Sequence, residues 1–327
     1  MHRKTSYVAI LAGMSLVGMT AASFANNNDP FAPLQSELQK VRFSYASNDS
    51  GLPGNETARI AQALCHAGGV QLERVALERV TPRVEYRSEL DRSAIFELDT
   101  ATGDLLFNKG YGNLRGEEST PNLPSPEIAP RLAIELLHEL GVTPAQASEM
   151  KLDHVGGVNM GAHREDGSTE IFQKLVTVRF GRMLDGLPVD GPGSRIVVRM
   201  SSGGQLAGLI RRWYEVSPRM LSASEMFSLA EIRTIAQACI AKASLDAVES
   251  EIKSAELVLF DDGHGVIEPA VYVTSQFTFQ AYHKTASGGG ELKTFTNPYD
   301  FYVPVLRRPQ AQFPFMNEGV PRPAGDE

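Results

Sequence analysis

Two histidines sit among acids at spacings that could bind a metal. Asp261-Asp262-Gly263-His264-Gly265 brings two carboxylates and an imidazole into one short stretch, a donor set able to take a divalent ion. A tight hairpin turn favours the same residues, because Asp accepts main-chain N–H bonds and Gly bends sharply. The turn is the preferred reading, with Asp261, Asp262 and His264 kept as metal candidates and no cofactor expected. His163-Arg164-Glu165-Asp166-Gly167 repeats the pattern with the same outcome. Arg211-Arg212-Trp213-Tyr214 joins cations to aromatics and could form a cation–π binding face. A strand alternating its side chains between two faces yields the same residues for structural reasons, and that reading is preferred.

Nucleophilic chemistry has less to stand on. A Ser-His-Asp set could be assembled from distant residues, but the chain has no Gly-x-Ser-x-Gly elbow. Neither Cys65 nor Cys239 has a recognisable catalytic neighbourhood. There is no Walker loop, dinucleotide glycine fingerprint or four-cysteine zinc site. The glycines at 156–157, 203–204 and 288–290 fall between expected strands, as turns rather than phosphate cradles.

The compartment is easier to read. His2-Arg3-Lys4 precedes a mostly apolar stretch at 8–22, and Ser23-Phe24-Ala25 offers small residues at a cleavage site, the pattern of a signal peptide over 1–25. An exported protein, periplasmic or secreted, is expected, with no membrane span after signal removal. Loss of Arg3 and Lys4 and of no acid moves the formal charge from −8 to −10. Such an acidic chain, with no basic block, is not expected to bind nucleic acid. Of its 327 residues, 42% are hydrophobic and 21% charged, and the length suits two or three domains or one large one. Export permits a disulfide between Cys65 and Cys239; two buried thiols acting as small hydrophobes are the other reading, and the preferred one.

Periodicity supplies the elements. Helices are expected at 56–67, 130–140 and 221–243. The second carries a core stripe of Ala133, Ile134, Leu136, Leu137 and Leu140, and the third opens with capping boxes at Ser222/Glu225 and Ser228/Glu231. Strands are expected at 75–80, 83–87, 94–98, 105–108, 151–155, 169–180, 195–200, 206–213, 256–260, 266–282, 292–296 and 301–306. Those within 172–216 read as an antiparallel three-strand meander. The order of one helix and then antiparallel strands recurs, so the expected fold class is α+β, in tandem modules that each pack one helix on a small antiparallel sheet. The boundaries read as a flexible arm at 26–54, a first module and linker at 55–124, and further modules at 125–217 and 218–308. A proline-rich extended tail at 309–327 closes the chain.

The run Phe180-Gly181-Arg182-Met183-Leu184-Asp185-Gly186-Leu187-Pro188-Val189-Asp190-Gly191, followed by Ile196-Val197-Val198 and Gly204-Gln205-Leu206, resembles the propeptide motif of thermolysin- and fungalysin-type metallopeptidases. The next unit, 222–243 with Ile267-Glu268-Pro269-Ala270-Val271-Tyr272-Val273, is similar to PepSY domains. Gly186, Pro188, Val189 and Gly191 are the motif's fold determinants, since Pro fixes one backbone angle and Gly permits bends. The family's zinc site is missing. His138-Glu139-Leu140-Gly141-Val142 departs from His-Glu-x-x-His at its last position, and one His cannot supply three ligands. The resemblance therefore implies a stand-alone, non-enzymatic module that binds, chaperones or inhibits a protein partner, an exported peptidase among the possibilities. A ligand- or metal-binding module built on the His163 and His264 loops, or an enzyme with an unrecognised site, are the alternatives.

Overall fold

In a computed structural model, the described residues are 29–48, 54–75, 82–89, 93–110, 114, 117–164, 166–244, 247–284 and 290–314. The expected signal peptide, residues 49–53 of the arm, the 75–80 strand beyond Val75, parts of the 109–124 linker, the turn at 287–289 and the tail beyond Pro314 lie outside them.

The chain runs α1 (Leu34–Glu37), β1 (Phe43–Ser47), α2 (Gly54–Gly68), β2 (Glu73–Arg74), β3 (Arg83–Arg87), β4 (Ala94–Asp99) and β5 (Leu105–Lys109). Next come α3 (Ala129–Glu139), β6 (Met150–His163), β7 (Thr169–Leu184), β8 (Leu187–Asp190), β9 (Arg195–Met200) and β10 (Leu206–Arg212). The last stretch holds β11 (Val216–Met220), α4 (Leu229–Ala243), β12 (Glu249–Asp261), β13 (Val266–Lys284) and β14 (Gly290–Pro304). Among the described residues no helix is long and apolar enough to cross a membrane.

The expected tandem of small helix-on-sheet modules is overturned. Fourteen strands among the described residues belong to one large sheet, mixed because β8 and β12 pair in parallel. The chain divides into two compact units. The first holds Asn48–Met183 and Ser194–Glu215, and the second holds Leu184–Gly193 with the described parts of 21–47 and 216–327.

In the first unit β6 lies beside β7, and β9, β10, β5, β4, β3 and β2 follow. The decisive pairing is β5 with β10, Phe107 opposite Leu209 and Leu106 opposite Ile210. It gives α2 and α3 a shared core, in which Ile60 and Leu64 meet Ala133, Leu137, Phe96, Phe107 and Val198. The meander forms as expected from β7, β9 and β10. Pro130 occupies the first turn of α3, where its missing N–H costs nothing. The buried stripe of α3 is Ala129, Ala133 and Leu137, with Leu140 just past its end, while Ile134 is exposed. The i, i+4 row lies deepest, and Leu132 and Leu136 pack half-buried beside it.

In the second unit the strand order is β11, β1, β13, β12, β8, and β14 also pairs with β13. The segment expected as a flexible arm holds α1 and β1 over part of its length, with Leu34 and Val41 in the core and β1 inserted between β11 and β13. Asn297-Pro298 does not interrupt the last strand. β14 is continuous through it, with Pro298 opposite Gln276, as an edge strand allows. Helix α4 packs Ile232, Ile235, Ala236 and Cys239 against Val271, Val273, Phe301 and Val303. Both capping boxes are present, but the first caps a separate short turn at Ala223–Glu225 and only the second opens α4.

No disulfide joins Cys65 to Cys239; both are free. Cys65 belongs to the first unit and Cys239 to the second, where it fills the α4 stripe. Burial raises both thiols above their ordinary range, so each packs as a small neutral hydrophobe.

Glu231 gives a pH prediction. Its hydrogen bonds to Ser228 and the Arg307 fork, at 2.8 and 3.0 Å, bring its carboxyl down from 4.5 to about 2. A depressed carboxyl stabilises the fold above its unfolded value, and that stability is lost as pH falls through the folded value. Ser228→Ala should cost about 1 kcal/mol near neutrality. The stability gap between wild type and Glu231→Gln should be full above about pH 4.5 and close towards about pH 2, as read by thermal melts across that range.

Candidate functional site

The three central strands of the second unit have two differently used faces. Cross-strand pairs Leu257/Val271, Val271/Val303 and Val273/Phe301 lie under α4. Because side chains alternate along a strand, Val258, Phe260, Glu268, Ala270, Tyr272 and Tyr302 fall on the other face, as the pairs Phe260/Glu268, Val258/Ala270 and Tyr272/Tyr302 require. Ala311 and Phe313 close over it. The Phe260 ring lies 4.6 Å from Tyr302 and 4.6 Å from Phe313, stacked on the latter.

Carboxylates ring this aromatic patch. Glu268 is buried, and its carboxylate accepts the main-chain N–H of Gln310 at 3.1 and 3.0 Å and of Ala311 at 3.1 Å. Burial pushes its carboxyl up, while the N–H bonds and Arg219 act in the opposite sense. Tyr302 donates its hydroxyl to Asp190 Oδ2 at 2.7 Å. Burial, then Asp190, pushes the Tyr302 phenol up, and burial with Asp300 does the same for Tyr272. Both phenols therefore stay protonated and act as donors.

The motif singled out in the sequence shapes one border of this face. Asp185 and Gly186 turn the chain with φ of 50° and 80°, and Tyr45 donates its hydroxyl to the Asp185 carboxylate. Pro188 and Val189 lie in β8, where Val189 pairs with Leu259 and Asp190 with Phe260 of β12. Gly191 then adopts φ 109°, close enough to Asp261 that a Cβ would meet its carbonyl oxygen at 2.4 Å. Gly193 packs its backbone on the Asp261 carboxylate.

The metal candidates share the turn between β12 and β13. Asp261 Oδ1 accepts from Gly263 N–H at 2.8 Å, and Asp262 Oδ1 from His264 N–H at 2.7 Å. Asp262 Oδ2 accepts from Gln312 N–H at 3.2 Å. Both carboxylates are buried, whereas His264 is exposed. Among the described residues no group of three or more His, Cys, Asp and Glu is placed to hold a metal. Around His163, Nδ1 lies 2.9 Å from Thr169 Oγ1, and Arg164 pairs with Glu117 and Glu170.

At 211–214 the residues are brought together, but not as a cation–π face of their own. The cation over Trp213 is Arg182, at 5.0 Å. Arg211 is half-buried and donates to the carbonyls of Val142, Gly103 and Trp213 at 3.0, 3.1 and 2.9 Å, tying three segments of the first unit together.

Sequence reasoning missed Glu268 as a site residue. The available signal was an acid inside the apolar run Ile267–Val271, since an acid buried there requires hydrogen-bond donors. The arrangement does one kind of chemistry well, which is to hold the main-chain N–H groups of an extended segment beside an aromatic wall.

No protein-family model matches the chain, and no curated protein matches it either. Among solved structures it is similar to an uncharacterized protein from Eubacterium rectale ATCC 33656, at 14% identity and TM-score 0.42, over 83% of this chain and 86% of that one. It is also similar to the Bacillus megaterium YpeB C-terminal domain, at 9% identity and TM-score 0.34, over 76% of this chain and 99% of that domain.

Proposed function

We propose that the mature chain is an exported, non-enzymatic binding protein, periplasmic or secreted and propeptide- and PepSY-like in kind, that grips a protein partner through a sheet edge. An exported peptidase is the first partner to test, because the Gly186-Leu187-Pro188-Val189-Asp190-Gly191 run is similar to a peptidase propeptide motif.

One observation carries the reading. β12 follows β13 only to the pair Glu249/Thr278, whereas β13 and β14 stay paired to Lys284/Gly290. Beyond Thr278 the pair is thus a two-stranded ribbon, and along its length β14 has only β13 as a strand partner among the described residues. The ribbon carries Tyr282, Leu292 and Phe295 at 68%, 61% and 44% exposure. The Phe279 and Phe295 rings stack at 5.5 Å, and Phe277 and Tyr299 at 5.1 Å. An open edge with apolar side chains is a template for strand addition, in which main-chain bonds supply affinity and alternate side chains supply specificity.

A photoreactive amino acid at Leu292 should give one dominant protein adduct in the exported fraction, and Phe295→Asp should reduce it about tenfold or more. Equal yields from wild type and variant, or no adduct at all, would overturn the reading.

A further inference from the structure

Residues 309–314 lie on the aromatic face of the second unit as a bound peptide would. Three successive main-chain N–H groups, of Gln310, Ala311 and Gln312, are taken by the carboxylates of Glu268 and Asp262. The side chains alternate: Ala311 and Phe313 are buried, while Gln310 and Gln312 are exposed. Contact is therefore made through the main chain and two sockets, one small and one aromatic. The aromatic socket is walled by Phe260 and Tyr302, with Val258 and Ala270 beneath.

Main-chain N–H groups are common to every residue except proline, so the carboxylates hold a segment without reading its sequence. The sockets supply the selectivity, by the division of labour seen when peptides add to sheets. A buried carboxylate stripped of its donors is costly, so the groove is expected to be filled whenever the protein is folded.

We propose that this face is a peptide-recognition groove with residues 309–314 as its resident ligand, and that an extended partner segment of the type Ala-x-Phe takes their place. The resident segment specifies the chemistry of the occupant: consecutive N–H donors, a small residue, and an aromatic residue two positions on. Tethering gives the resident segment an effective concentration on the order of millimolar, so a free segment competes best when the resident grip is weakened. The groove uses a face of the sheet and not the edge of β14, so its test is independent of the strand-addition reading.

The test uses the full chain and a labelled peptide, Arg-Pro-Gln-Ala-Gln-Phe-Pro, copied from residues 308–314. Phe313→Ala empties the aromatic socket, and Gln310→Pro removes one donor from the resident segment while leaving the groove intact. Fluorescence anisotropy should show each variant binding the peptide about tenfold or more tighter than wild type. Phe260→Ala in the Gln310→Pro chain, or Ala for Phe in the peptide, should abolish that gain. Equal or absent binding to variants with a native far-UV spectrum would overturn the proposal. So would a wild-type chain whose mass doubles with concentration and whose 310–312 amides become protected only in the dimer, because the occupant would then be a second copy. Excess peptide on the wild-type chain should also speed amide exchange at Gln310, Ala311 and Gln312. Unchanged rates at saturating peptide would count equally against the proposal, even if neither variant folds.

Discussion

Glu149→Gln should lower the stability reported by Trp213 fluorescence by about 3 kcal/mol, measured as a shift of the urea midpoint at constant slope. Arg182 is the reason. Its side chain is fully buried, Nε donates to Glu149 Oε2 at 2.7 Å, and Nη1 donates to the Tyr214 carbonyl at 3.0 Å. The guanidinium also lies against the Trp213 ring, and Trp213 is the chain's single tryptophan, so the probe sits at the perturbed site. Removing one member of a buried ion pair leaves an uncompensated charge, which costs about 3–5 kcal/mol. Glu149 retains 23% side-chain exposure, and partial access to water places the expectation at the low end. Arg182→Met removes the charge and keeps apolar bulk, leaving the Tyr214 carbonyl short of a donor at about 1–3 kcal/mol. Glu149→Gln should therefore be the more harmful change, and combining it with Arg182→Met should cost clearly less than the two separate losses together. Additive losses would mean that the pair does not act as a unit.

Much of the local structure was legible. β3 and β9 match their expected spans, the hairpin of β4 and β5 follows its turn chemistry, and both capping boxes form. These features depend on residues a few positions apart, so the physics that makes them is written in short windows. The fold class failed on long-range pairing. Leu105–Lys109 reads as the end of a hairpin before a Gly- and Pro-containing stretch, and nothing nearby shows that its second edge belongs to β10. The turn-rich 185–188 segment likewise hides the start of a strand, because β12, the parallel partner of β8, lies far along the chain. At the candidate site the Asp261-Asp262-Gly263-His264 cluster was visible by composition. Its use was not, because the N–H that Asp262 Oδ2 accepts comes from Gln312.

Gly191→Ala should destabilise the second unit by about 3 kcal/mol or more, against a gain of about 0.4–1 kcal/mol where the backbone tolerates alanine. Two effects combine. The φ of 109° is one that L side chains rarely adopt, and the new Cβ would stand 2.4 Å from the Asp261 carbonyl oxygen and 3.0 Å from the Phe260 ring. The obstacle is backbone at the end of β12, so relief requires β8 and β12 to separate where Phe260 pairs with Asp190. Gly186→Ala is the control within the same motif. Its φ is 80°, but nothing lies within 4 Å of a Cβ there, so only conformational strain of about 1–2 kcal/mol applies. Amide exchange across 187–190 and 256–261 distinguishes the two, since Gly191→Ala should open both stretches and Gly186→Ala should leave 256–261 protected. Equal effects at the two glycines would mean that the motif acts only through turn conformation and that the close approach to Asp261 is not what it serves. A larger effect at Gly191 ties the turn at 186–191 to the packing of β12, and through Phe260 to the wall against which Phe313 rests.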